Sequence, residues 1–161
     1  MAKGDEITTK FKVDISDLKK GLSEATQQIK LADAQFKAAT AGMDNWKKST
    51  EGLKSKLKQL ETALAAQKSK LKSYNEELKR QQSAYNENGR RADGLKAKLQ
   101  ELANQGVSKT SAEYKKYQNA LAAVEKEQGQ NEDAVNRLKV TILQQEAAVK
   151  KTEAEIGKYG R

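Results

Sequence analysis

At 161 residues the chain has room for one ordinary domain, yet only 36% of it is apolar and 33% is charged. A typical soluble domain is about 45–50% apolar, so a sizeable compact core is excluded, and order requires long helices that bury only a narrow stripe. The formal net charge of +9 points toward an acidic partner: nucleic acid, an anionic membrane surface or an acidic protein wall.

The chain opens with an arm over residues 1–15. In it Ile7, Thr9, Phe11 and Val13 alternate with Thr8, Lys10, Lys12 and Asp14. A period of two with β-branched and aromatic residues predicts a strand. One strand is not stable alone. It is expected to pair with another copy or another protein, or to remain a free arm. The first six residues carry no apolar run behind Lys3, so they do not read as a secretory signal.

A first helix is predicted over 16–41, with Ser16 as its cap and Asp17 at the positive end of its dipole. Its apolar stripe is Leu18, Leu22, Ala25, Ile29, Ala32, Phe36 and Ala39. Gly42 suits a helix end and Asp44 a new start. Because the stripe continues in phase through Met43 and Trp46, a kink or very short turn is expected there. Trp46, the only Trp, reads as a packing anchor or a binding hot spot.

A long central helix is predicted over 44–103. Its seam runs Trp46, Thr50, Leu53, Leu57, Leu60, Leu64, Gln67, Leu71, Tyr74, Leu78, Gln81, Tyr85, Asn88, Ala92, Leu95, Leu99 and Leu102. The steps alternate between four and three residues. That is the 3.5-residue period that keeps one stripe turned toward a partner helix. At a rise of about 1.5 Å per residue, Asp44 to Leu102 would span roughly 90 Å. Gly89 and Gly94 weaken this helix, but the seam stays in phase across them.

Residues 104–110 form a linker with Gly106 as a helix stop, and Thr110-Ser-Ala-Glu113 matches a capping box. A last heptad helix is predicted over 111–157. Its seam is Tyr114, Tyr117, Leu121, Val124, Gln128, Asn131, Val135, Leu138, Ile142, Gln145, Val149, Thr152, Ile156 and Tyr159. The link permits either an antiparallel hairpin or a continuing rod. The fold class is therefore all-α, as a coiled coil, helical hairpin or bundle, with a short N-terminal strand. The polar seam residues Gln67, Gln81, Asn88, Gln128, Asn131 and Gln145 suit register control. They equally suit a loosely held bundle that opens.

Chemistry is sparse. Without His or Cys, the commonest general base and the thiolate ligands are missing. Glu76-Glu77, Glu125/Glu127, Glu132-Asp133 and Glu153/Glu155 are one or two residues apart and diverge around a helix. No phosphate-binding loop or calcium loop occurs. No catalytic, cofactor or metal site is expected, and no segment is apolar enough to span a membrane. The densest charge is a basic face: Lys47, Lys48, Lys54, Lys56, Lys58, Lys68, Lys70 and Lys72 against Glu51 and Glu61. It reads as a solvated helix face or as a site of non-specific phosphate contact. Five Arg in the whole chain are few for a base-reading region.

The segment Ile7 to Leu22, followed by Gly42-Met-Asp-Asn-Trp-Lys-Lys-Ser-Thr-Glu-Gly-Leu53 and Lys54-Ser-Lys-Leu-Lys-Gln-Leu60, resembles the N-terminal region of tape measure proteins. These belong to long-tailed phages of Gram-positive bacteria and to related phage-tail-like bacteriocins. The resemblance implies a long helical virion protein that fills the tail tube before DNA does and sets tail length. It implies a homo-oligomer that meets tube protein, tail chaperones and tail-tip or hub proteins. It also implies assembly in the host cytoplasm, residence in the tail lumen and transient DNA contact. Such proteins are far longer than 161 residues, so these residues are expected to head a longer chain. In this reading copies pack side by side along the Leu seam. The alternative is a nucleic-acid-binding or scaffolding coiled coil.

Overall fold

The computed structural model describes residues 11–160. Their regular structure is helical: α1 (Ser16–Thr40), a 3-10 turn (Trp46–Lys48), α2 (Thr50–Asn104) and α3 (Ala112–Tyr159). They divide into two compact units. Of the described residues, one unit joins 11–14 with Leu78–Arg137, and the other joins Ile15–Glu77 with 138–160.

In the Leu78–Arg137 unit, α2 and α3 are antiparallel, which decides for the hairpin over the rod. The turn between them follows from two local features. Gly106 has φ +78°, so the Val107 N–H reaches back to the Leu102 carbonyl and the Gly106 N–H to that of Ala103, each at 3.0 Å. This pair of hydrogen bonds closes the last turn of α2 and reverses the chain. Ser111, one residue after the expected Thr110, caps α3, its hydroxyl accepting from the Tyr114 N–H at 3.2 Å. Ala92, Leu95, Ala120 and Val124 form the core, with Tyr117 and Leu121 packed on it. Gly89 sits where α3 comes close: a Cβ there would lie 2.9 Å from Gln128 Nε2. The helix runs unbroken through Gly89 and Gly94.

In the other unit, α1 lies antiparallel to the first part of α2. Gln59 Nε2 donates to Asp33 Oδ1 at 2.8 Å, and Gly21 faces Ser73. Ala25 and Ala32 are the buried residues of α1. The Gln145 amide of α3 donates to the Gln67 main-chain carbonyl at 3.1 Å. The chain between α1 and α2 reverses over residues 41–49, a longer connection than the kink or very short turn expected from the in-phase stripe. Gly42, at φ +80°, begins the reversal. Asn45 caps the 3-10 turn through the Lys47 N–H at 3.1 Å. Ser49 caps α2 by accepting from the Gly52 N–H at 3.2 Å. The long helix therefore starts at Thr50, because Ser49 and not Asp44 supplies its cap. Likewise α1 takes Ile15 at its cap position, and Ser16 falls inside the first turn.

The first half of the expected strand, residues 7–10, lies outside the described residues. Its described part, from Phe11 onward, is not a strand. The reason is local: both main-chain groups of Phe11 are taken by one side chain, Asn88, where a strand would need a neighbouring backbone.

Candidate functional site

Of the seam residues, Thr50 and Tyr85 are exposed and the others are half-buried or buried. Leu60, Leu95, Leu102, Val124, Leu138 and Ile142 are buried. Trp46, Leu53, Leu57, Leu64, Leu71, Tyr74, Leu78, Leu99 and Leu121 are half-buried. The partner surface comes from the chain itself, through the antiparallel α2–α3 contacts within each unit. Within each unit α2 and α3 face each other along this seam.

In the unit with α1, α2 carries a second stripe one residue behind the first. Lys56, Gln59, Ala66, Ser73 and Glu77 belong to it, and Asp33, Phe36 and Gly21 of α1 meet three of these positions. Ala66 is 0% and Glu77 1% exposed. The sequence reading missed this stripe because Ala, Ser and charged residues carry it, and a hydrophobic period does not register them. The signal available was the small residues Gly21 and Ser73, which permit close approach.

With two faces of α2 occupied, one is left. Lys54, Lys58, Lys68 and Lys72 are exposed on it, as two pairs four residues apart, and Lys47 and Lys48 are exposed in the preceding turn. Lys70 is half-buried. Lys56 does not belong to the free face. Its ammonium lies 4.8 Å from the Phe36 ring centre and 5.7 Å from that of Trp46. It also donates to Gln59 Oε1 at 2.8 Å. Trp46 is an anchor here: Phe36 meets it edge-on at 5.2 Å, and Tyr159 of α3 lies 5.6 Å away.

The hairpin unit holds a chain of side-chain amides. Asn131 Nδ2 donates to Gln81 Oε1 at 3.0 Å, and Asn88 Nδ2 donates to Asn131 Oδ1 at 2.8 Å. Asn88 also accepts from the Phe11 N–H at 2.8 Å and donates to the Phe11 carbonyl at 3.1 Å. Asn88 is 0% and Asn131 2% exposed. Arg91 stacks over the Phe11 ring at 5.1 Å. The amides therefore fix the α2–α3 register and hold the end of the arm at once.

The acidic pairs diverge: Glu77 and Glu127 are buried and engaged, while Glu76 and Glu125 are exposed. Among the described residues no group of three or more acidic, His or Cys side chains is placed to hold a metal, and no helix is long and apolar enough to cross a membrane. A groove of about 240 Å³ lies between α1 and α2, lined by Phe36, Ser55, Lys58 and Gln59 among others. It is smaller than ordinary small-molecule pockets, which run from about 300 Å³ upward. No protein-family model matches the chain, and no curated protein or solved structure is significantly similar to it.

Proposed function

We propose that the chain is a structural assembly protein: the N-terminal region of a tail tape measure that sets tail length and fills the tube before DNA passage. The observation that carries this reading is the exposed row Lys54, Lys58, Lys68 and Lys72 on a helix whose other faces are occupied. Such a row presents two clusters of positive charge on one helix face, with Glu61 between them, and suits contact with an acidic tube wall or with tail chaperones. The residues of the resemblance, Gly42 to Leu53, build the capped corner that starts this helix. Copies lie in the tail lumen, assembled in the host cytoplasm, with hub proteins at one end.

The test is a paired deletion in the phage or particle that encodes the chain. Removing one heptad of α2 together with the facing heptad of α3 keeps their antiparallel register. Tails seen by electron microscopy should then be shorter in proportion to the axial length removed. Tails of unchanged length would overturn the ruler.

The same Lys row favours a second reading, non-specific phosphate binding. Binding of duplex DNA should then weaken with a log–log salt slope of about −0.9 per phosphate neutralised. Absence of binding at low salt would end that reading.

A further inference from the structure

The outer face of α3 in the α1-containing unit carries a patch that its fold leaves uncovered. Val140 is 55% and Leu143 66% exposed, whereas Leu138, Ile142 and Val149 of the same helix are nearly buried, at 9%, 7% and 7%. At about 100° per residue, Val140, Leu143 and exposed Ala147 fall within roughly 60° of one another, opposite the buried set. This is a helix with an apolar stripe on each side, one used and one free.

We infer that the free stripe is a contact between two copies of this chain, packed antiparallel about a two-fold axis near residues 141 and 142. The charges beside it argue for a second copy. Lys139 and Glu146 are both exposed and lie on the same flank of the stripe, seven residues apart. When two such helices meet antiparallel with Val140 against Leu143 of the other copy, Lys139 lies about 3 Å along the axis from the level of Glu146 of the other copy, within side-chain reach. The symmetry makes that pair twice. A parallel arrangement would bring no such match. The patch is small beside the roughly 800 Å² that each partner gives to a standard interface. The contact is therefore weak in dilute solution and forms where copies are already crowded. It is separate from the reading of copies lying side by side with one polarity, because the two-fold axis reverses the second chain. Its test uses the purified chain alone, so its failure leaves the ruler reading standing.

The experiment is sedimentation equilibrium of the full chain from micromolar to millimolar concentration. Reversible dimerisation is expected. Leu143→Lys should abolish it while leaving helical circular dichroism unchanged, because the side chain is exposed. Lys139→Glu and Glu146→Lys should each weaken self-association, on the order of tenfold for two exposed pairs lost and replaced by repulsion. Mixing those two variants should restore it, since each mixed dimer regains both opposite-charge pairs. A chain that remains monomeric throughout would overturn the inference. So would a dimer indifferent to Leu143→Lys, or a mixture no tighter than its components; in either case the patch would be left to a different occupant.

Discussion

Asn88 shows how much one residue carries. Its buried carboxamide satisfies both main-chain groups of half-buried Phe11 and the buried amide of Asn131. Asn88→Ala leaves those groups unpaired, and each unpaired buried group costs about 1–3 kcal/mol. A loss of about 2–4 kcal/mol is expected in urea melts, with faster amide exchange at Phe11. Gln67 predicts the opposite sign. It occupies the seam with a buried Oε1 that has no hydrogen-bond partner among the described residues. Gln67→Leu should raise stability by about 1 kcal/mol, because it removes an unsatisfied acceptor and adds apolar contact. Gly52 is decided by space. A Cβ there would collide with the Trp46 carbonyl. Helix propensity favours Ala over Gly by about 1 kcal/mol, but overpacking typically costs about 1–3 kcal/mol. Gly52→Ala should therefore be destabilising or near neutral, never stabilising, as read by the fluorescence melt of the single Trp.

At the scale of elements, the corner from Ala41 to Ser49 turns on Trp46. Trp46 touches Phe36, Tyr159 and the Lys56 ammonium, so it ties the end of α1, the start of α2 and the end of α3 together. Trp46→Ala should cost about 2–4 kcal/mol, measured by thermal unfolding followed at 222 nm. Ser49→Ala removes only a cap and should cost about 1 kcal/mol. These elements also mark how far the sequence could be read. Helix existence, the 3.5-residue seams and the break at Gly106 were legible because periodicity and a glycine with positive φ act locally. The reversal at 41–49 was not, since a stripe that stays in phase looks the same whether the chain kinks or folds back. Cap positions shifted by one to five residues, from Thr110 to Ser111 and from Asp44 to Ser49. Several neighbouring hydroxyls and carboxylates compete, and only geometry selects among them.

For the whole molecule, charge is the property that composition states and the fold distributes. The +9 net charge includes Lys56, whose position against two aromatic rings is structural. The exposed set is therefore narrower than the count of Lys suggests. Lys54, Lys58, Lys68 and Lys72 changed together to Gln should leave unfolding midpoints nearly unchanged, since exposed charges contribute little to stability. Under the proposed function, the same change should weaken binding to an acidic protein wall or to DNA, with Lys47 and Lys48 still exposed beside the row. A large loss of stability would show that the row is part of the packing instead.

By itself the sequence determined that the chain is helical, where its seams run and where one turn must fall, because these depend on spacing along a single helix. It also showed that the surface is basic. Only the tertiary structure decided that the seams close on each other in antiparallel contacts, that α2 carries a second contact stripe made of small and polar residues, and that Val140 and Leu143 are left outside. The physical reason is that a helix's own period says which residues share a face. What covers that face depends on where the chain folds back, and residues distant in sequence settle that together.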